Sequence, residues 1–534
     1  MRRWNGWGDE GIHTPLSEQA LGFLAEQVGA GTPPQDATLS AACAGVPVSR
    51  LPRHPAVDRT AEARLRASHG QSLGDWIALR FGEPQRVVDG VAFPEDEAQL
   101  RRLLAWAAEK GALVIPQGGA TSVVGHLSPP AQDPRPVMAL SLARMNRLLA
   151  LDETAQLATF EAGVLGPALE AALHARGYTL GHYPQSFEYA SLGGWVVTRS
   201  SGQQSLRYGR AEQWFAGGRL LMADGRALDV PPLPASSAGP DLREWLLGSE
   251  GRFGVLSQAT VRVSRAPEAE QFLGVFLPDW ETGLRAAREL VQARVPLSML
   301  RLANAVETET TLRLAAAGGH GLEIGLLERY LRLRGSGEGK VLMFIGLTGS
   351  AAQVAAAKRE ALALLHHQGA HSTGQLLGKA WAKKRFAGVY LRNALWEAGY
   401  MVDTMETAVP WGRTTAMVEA IEGAGRAALA RWGERCHAYT HLSHVYASGS
   451  SVYSTFVLRV GATAAESRGR WQALKAAVSE AIVAQGGTIS HQHGVGKDHA
   501  PYLSAEKGEA GLAAIDAALA HFDPQGLFNS GNLR

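Results

Sequence analysis

The sequence predicts an α+β protein of at least two packed domains behind a helical N-terminal extension. Three observations predict it. A chain of 534 residues is too long for one hydrophobic core. Between residues 83 and 265, short β-branched runs alternate with amphipathic stretches and many glycines. From Glu268 onward a strand followed by a helix recurs, the rhythm of an antiparallel sheet covered by helices.

Composition narrows the class. A hydrophobic fraction of 46% is that of an ordinary globular protein. Lys+Arg 52 against Asp+Glu 50 leaves a net charge of +2, which argues against a nucleic-acid partner. Cys43 and Cys436 are too few for a disulfide framework and suit a reducing compartment. No apolar run is long enough to span a bilayer, and "MRRWNGWGDEG" is not a signal peptide. The ending "GNLR" is not a peroxisomal S-K-L signal, so a cytoplasmic location is expected.

The elements follow in order. Residues 1–82 form the helical extension: "LSEQALGFLAEQVGA" and "TAEARLRASHGQSLGDWIALRFG" repeat apolar residues at helical spacing, with a Pro/Gly-broken connector between them. Trp4 and Trp7 are expected to dock on another domain. Residues 83–265 form the second domain. A strand at 86–91, an amphipathic helix with an acidic first turn, and the strand "ALVIP" make a strand–helix–strand unit ending in a glycine loop. Residues 266–480 form the third domain. There "EQFLGVFLPDW", "SMLRLAN", "KVLMFIGLTGS" and "SVYSTFVLRVG" read as strands, most of them leading into helices. Residues 481–534 form a C-terminal segment that carries "GGTISHQHGVGK".

Two motifs carry chemistry. In "PQGGATSVVG" (116–125), adjacent glycines after a strand let backbone N–H groups turn inward as an anion nest suited to a pyrophosphate. The loop lacks the G-x-G-x-x-G spacing and the lysine of a P-loop, and taken alone it is either a cofactor site or a plain turn. In "GGTISHQHGVGK", His491 and His493 read as a metal clip, as a catalytic pair, or as surface residues.

Further stretches extend the first motif. "GHYPQSFEYASLGGWVVTRSSG", "LRYGRAEQW" and "LLGSEGRFGVLSQATVRV" follow it in order, and together they resemble the vanillyl-alcohol oxidase type of FAD-binding domain, in which two α+β subdomains hold FAD. With "WNGWG", "PLSMLRLAN", "VYLRNALWEAGYMVDTMETAVPW", "GGTISHQHGVGK" and "DPQGLFNSGNL", the chain is similar over almost its whole length to the alkyldihydroxyacetonephosphate synthases of ether-lipid synthesis. The resemblance implies FAD contacts at Pro116, Gln117, Gly118, Gly119, Ala120, Thr121 and Ser122; at Gln185, Ser186, Phe187, Glu188, Tyr189, Ala190 and Ser191; at Thr198, Arg199, Ser200 and Ser201; and at Glu250, Gly251, Arg252, Phe253, Gly254, Val255 and Leu256. The first loop has no histidine, so non-covalent FAD is expected.

The same resemblance implies the reaction. The acyl group of acyl-dihydroxyacetone phosphate is exchanged for a long-chain fatty alcohol without net redox change. Tyr453 falls where the family has its essential tyrosine, and as a base it needs help, expected from His491 or His493. Arg392 and Arg301 fall on family arginines and suit the substrate phosphate. A homodimer and a peripheral membrane contact are also implied. Two departures bear on the substrate: Gln492 interrupts a run of three family histidines, and Gln185 replaces a family aspartate. The alternative is an FAD-linked oxidase or dehydrogenase of a 2-hydroxy acid such as D-lactate or glycolate.

Overall fold

The computed structural model describes residues 1–529 and 531–534. Its first sheet holds β1 (Val57–Asp58), β2 (Gly90–Ala92), β3 (Leu113–Gln117) and β4 (Val137–Ser141), in the order β1-β2-β4-β3. The predicted strand–helix–strand unit is present, with helix Glu97–Glu109 capped by Asp96, but β4 lies between its two strands and pairs parallel with both. The strand expected at 86–91 forms only from Gly90. Upstream, side chains take the backbone groups: Arg64 Nε donates to Val88 O at 2.7 Å and Val88 N donates to Ser68 Oγ at 2.9 Å.

A second, antiparallel sheet has the order β5-β6-β10-β8-β9: β5 (Leu148–Asp152), β6 (Leu157–Glu161), β8 (Phe215–Leu221), β9 (Ala227–Val230) and β10 (Val255–Arg262), while β7 (Tyr178–Thr179) pairs with β11 (Ser264–Arg265) in a small ribbon. The third sheet is the scaffold of the site. Its order is β15-β12-β14-β13-β17-β18-β16, from β12 (Ala269–Leu277), β13 (Met299–Ala303), β14 (Val341–Gly349), β15 (His371–Ser372), β16 (Tyr400–Pro410), β17 (His437–Leu442) and β18 (Gly449–Arg459). Every pairing in it is antiparallel. Its helix-covered face buries Leu273, Val275, Leu300, Ile345, Met401 and Phe456 against helices such as Trp280–Gln292, Thr414–Ala430 and Ala464–Ala484. The opposite face turns toward the first two sheets.

The N-terminal extension is a strap across these layers. Helix Glu18–Val28 packs Leu24 and Val28 on Tyr400 and Val457. The stretch read as one helix from residue 60 is two, Ala61–Arg66 and Leu73–Arg80. The break brings the chain under the first glycine loop, where Gln71 N donates to Ser122 O at 2.6 Å, and Asp75 accepts from Gly70 N at 3.1 Å. A Cβ on Gly70 would stand 2.6 Å from Ser122 O, so only glycine fits. Trp7 is buried edge-on against Tyr189. At the other end, Asn529 N donates to Val114 O at 2.9 Å, which returns the C-terminal segment to the first sheet.

Candidate active site

A cavity of about 500 Å³ lies between the glycine loops and the exposed face of the third sheet. Opposed residues of antiparallel strands put their side chains on one face. In this register His441, Tyr453 and Glu406 form a row across β17, β18 and β16. The Tyr453 ring stacks on His441 with centroids 4.9 Å apart, and Tyr453 Oη donates to Thr404 Oγ1 at 3.1 Å. Burial pushes the Tyr453 phenol up to about 12. On the far side, His441 Nδ1 lies 2.9 Å from Glu307 Oε2, and Arg301 Nη2 is bonded to the other Glu307 oxygen. Burial alone would raise Glu307, but His441 and Arg301 bring it down to about 2.

The two predicted arginines therefore differ. Arg301 lines the cavity with its charge already matched by a buried carboxylate. Arg392, on helix Leu391–Glu397, has no carboxylate within ion-pair distance among the described residues. Its guanidinium lies 4.3 Å from the Trp76 ring centroid and donates from Nη1 to Gln71 O at 2.8 Å. It faces the cavity rather than bulk solvent, and burial lowers it to about 10. A cation in that position calls for an anion.

The opening histidines of the C-terminal loop part company as well. Residues 490–493 curl around Glu406, whose side chain is 1% exposed. His493 lines the cavity, edge-on to Tyr453 with ring centroids 5.9 Å apart. His491 does not reach Tyr453. Its Nε2 lies 2.6 Å from both Arg210 Nη1 and Tyr446 Oη, and its ring packs beside His444. Burial, then Arg210, holds it well below the usual histidine range. The imidazoles around Tyr453 are thus His441 and His493, and the expectation that His491 assists it is corrected. Among the described residues no group of three or more His, Cys, Asp or Glu is arranged to hold a metal.

The predicted cofactor loops converge on the opposite wall. Residues 116–122 all line the cavity. A Cβ on Gly118 would meet Ser191 Oγ at 1.8 Å, and one on Gly119 would meet Tyr189 O at 1.6 Å, so the first loop can seat on the second only through glycines. Each of three loops carries a non-glycine residue at positive φ: Ala120 (55°), Arg199 (54°) and Glu250 (53°). Such strain, of order 1–2 kcal/mol each, gathers at functional sites. Gln185, Ser186, Ala190, Ser191, Thr198, Ser200, Ser201, Glu250, Gly251, Gly254, Val255 and Leu256 also line the wall.

Six expected contacts do not line it. Phe187 stacks on Phe386, Glu188 accepts from Tyr390 Oη, and Tyr189 packs on Trp7. Arg199 pairs with Glu244, Arg252 donates to Asn532 O, and Phe253 stacks on Phe522. They support the loops from behind. Ser201 Oγ and Trp195 Nε1 belong to cavity-lining residues, are buried, and have no hydrogen-bond partner among the described residues. Buried polar atoms of this kind await a ligand, and together with the nest they fit a dinucleotide cofactor.

Residues that the sequence reading missed are Glu307, Glu406, His441, Arg210 and Tyr446. Only Glu307 had a local signal, as the third helical residue after the Asn304 cap.

Comparison with known proteins bears on identity. Residues 88–231 match the FAD binding domain, and residues 266–533, just over half of the chain, match the FAD linked oxidases, C-terminal domain. The chain is 28% identical to an alkyldihydroxyacetonephosphate synthase of Trypanosoma brucei brucei, over 99% of this chain and 92% of that protein. It is also 28% identical to the synthase of Dictyostelium discoideum, over 88% of this chain and 77% of that one. A solved alkyldihydroxyacetonephosphate synthase superposes with a TM-score of 0.84 at 24% identity, covering 99% of this chain and 98% of its own, which shows the shared fold. The chain belongs to the FAD-linked oxidases, carrying their FAD binding domain ahead of their C-terminal domain, with FAD as its cofactor.

Proposed function

We propose that the chain is an FAD-dependent alkyldihydroxyacetonephosphate synthase. It exchanges the acyl group of acyl-dihydroxyacetone phosphate for a long-chain fatty alcohol with no net redox change. The observation that carries the reading is the division of one cavity into three environments. Arg392 supplies a guanidinium with no carboxylate at ion-pair distance among the described residues, Tyr453 a phenol, and Met299, Trp381, Val389, Leu391 and Leu395 an apolar wall. A phosphate suits the first, a reacting carbon the second, a long chain the third. The near-full-length likeness to curated synthases supports the same reading.

The chemistry assigns roles. The C–H between the ketone and the ester oxygen is acidic, and Tyr453 takes that proton. Burial opposes ionisation of Tyr453, as do Glu406 and Asp403, while the Thr404 hydrogen bond and the positive field of Arg301 favour it. When bound, oxidised FAD supplies the electron-poor ring at which the substrate carbon reacts. One C–O bond breaks as the carboxylate leaves, and one forms to the alcohol oxygen. His493, held low by burial and so neutral, accepts the alcohol proton, which departs with the carboxylic acid; the proton on Tyr453 returns to carbon.

No described helix is long and apolar enough to cross a membrane. In this reading the lipid substrate arrives from a bilayer touched by helix Gly321–Leu333. Leu322, Leu326, Tyr330 and Leu333 are exposed on one stripe of that helix, while its Ile324 and Leu331 pack in a cluster with Met299 and beside Trp381, both of which line the cavity.

The test is turnover with palmitoyl-dihydroxyacetone phosphate and hexadecanol. Alkyl-dihydroxyacetone phosphate and palmitate should form in equal amounts while the flavin spectrum stays oxidised without oxygen. Stable anaerobic bleaching by D-lactate or glycolate, with no ether product, would instead assign a 2-hydroxy-acid oxidase.

A further inference from the structure

We propose that Glu406 is a positioning residue of this site: its carboxylate anchors residues 490–493 and turns Nδ1 of His493 toward itself, leaving Nε2 to the cavity. The proposal rests on the synthase reading only in taking His493 to meet the substrate.

Four donors converge on the Glu406 carboxylate. Ser490 Oγ lies at 2.9 Å, and the amide nitrogens of His491, Gln492 and His493 at 2.9, 3.0 and 2.9 Å. A carboxylate offers about four lone-pair sites, and these four donors anchor the loop to it. Three successive amides aimed at one acceptor form a nest. Gly486 and Gly494, at φ 69° and 86°, bracket the curl, but residues 490–493 contain no glycine, so the acceptor holds their shape.

The imidazoles complete the arrangement. His493 Nδ1 stands 3.4 Å from Glu406 Oε1, and His491 Nδ1 stands 3.6 Å from Oε2. A ring nitrogen facing a carboxylate keeps its hydrogen there and leaves the other nitrogen as the acceptor. For His491 that second nitrogen meets Arg210 and Tyr446. For His493 the Nδ1–Glu406 approach is an ion-pair contact, the ring forms no hydrogen bond among the described residues, and the residue lines the cavity. Glu406 thus faces the Nδ1 edge of His493, whereas Arg210, which can only donate, makes Nε2 of His491 the acceptor. The charged and titratable groups around His493 are Glu406 and Asp403 on β16, Tyr453 on β18, Lys475 on helix Ala464–Ala484, His126 after β3, and His444, His491 and His499. Burial lowers His493 most, Glu406 opposes it, and Lys475 and His126 add to the lowering.

The experiment titrates ¹⁵N-imidazole signals of the holoenzyme by NMR, with His493→Gln identifying the signal. Wild-type His493 should carry its hydrogen on Nδ1. Glu406→Gln should move its midpoint down by about one unit or more and mix the tautomers. FAD should stay bound, and kcat should fall about 10- to 100-fold with KM little changed. Ser490→Ala removes a donor but no charge, and should leave the midpoint where it was. An unchanged midpoint and tautomer in Glu406→Gln would overturn the proposal. If that variant does not fold, Glu406→Asp keeps the charge but withdraws it, and an unshifted signal there overturns it equally. The titration needs no substrate, so failure of the synthase reading would appear separately, in wild-type turnover.

Discussion

The His441 imidazole lies nearly parallel to the Tyr453 ring, with centroids 4.9 Å apart and planes 23° apart. The stack joins the phenol to the Glu307–Arg301 pair and fixes its angle above the sheet. Tyr453→Phe keeps this stack and loses one oxygen, so folding and FAD binding should survive. Exchange of the substrate α-hydrogen should stop. Because burial holds the phenol near 12, wild-type exchange should climb with pH from neutral into the alkaline range. Tritium washout at the wild-type rate in Tyr453→Phe would move the base elsewhere, with His493 the first alternative.

Arg392 should behave as the anion grip. Arg392→Lys keeps the charge but loses both the planar fork and the contact over Trp76. We expect kcat/KM to fall about 100-fold or more, with the loss shared by competitive inhibition by inorganic phosphate. Arg301→Lys should affect inhibition less, because Glu307 already matches that charge. Equal inhibition constants in wild type and Arg392→Lys would return Arg392 to a packing role.

Much of this site was legible, and the missing part has a physical reason. Gly118 and Gly119 announce a close backbone approach, and the approach is to Tyr189 O and Ser191 Oγ. The strand–helix rhythm after Glu268 matches the seven-stranded sheet. The row His441–Tyr453–Glu406 was not legible, because strand register joins positions 12 and 47 residues apart and no local pattern encodes it. Arg301 was readable as a cation in an apolar strand. Its partner Glu307 lies six residues on, but the direction of its reach depends on how helix Ala305–Ala315 leaves the sheet. The late start of β2 escaped for a related reason: Arg64 and Ser68 claim the backbone of Val88 from a different element.

FAD should be releasable. No histidine lies within residues 116–122, and nearby His126 is hydrogen-bonded through Nδ1 to Ser122 Oγ at 2.6 Å, with Nε2 at ion-pair distance, 3.0 Å, from Glu250 Oε2. Acid precipitation should leave the yellow colour in the supernatant, and colour in the pellet would contradict this. Gly119→Ala forces a methyl into Tyr189 O, so the first loop must lift. FAD affinity should drop at least about tenfold, since both the nest and its seat are displaced.

The exposed stripe of helix Gly321–Leu333 predicts a separable membrane function. Leu322 is 86% and Leu326 71% exposed, so Leu322→Glu with Leu326→Glu should cost little stability. Co-sedimentation with phosphatidylcholine vesicles should be lost, while turnover of a short-chain soluble substrate stays at the wild-type rate. Undiminished vesicle binding by the double variant would remove this face from consideration.

Buried histidines predict how the fold responds to acid. Burial, with neighbouring positive charge, pushes His182 and His444 down to about 3, and His491 lies well below its usual range for the same reasons. In the unfolded chain a histidine titrates near 6.5. Above that value both states are neutral and the stabilising contribution is complete. Between about 6.5 and 3 the unfolded state binds a proton that the folded state refuses. Stability therefore falls with pH, by about 1.4 kcal/mol per unit for each such histidine. Glu307 acts with the other timing. Its folded value is depressed to about 2, so its contribution is present above about 4.5 and is lost only as pH falls from there through 2. The first acid loss thus belongs to the histidines. Melting temperatures at fixed scan rate should be level from pH 8 to 7 and fall by several degrees between pH 6.5 and 5.5. A flat profile down to pH 5 would mean that these imidazoles reach solvent or a counter-ion that the packing of His182, His444 and His491 does not provide.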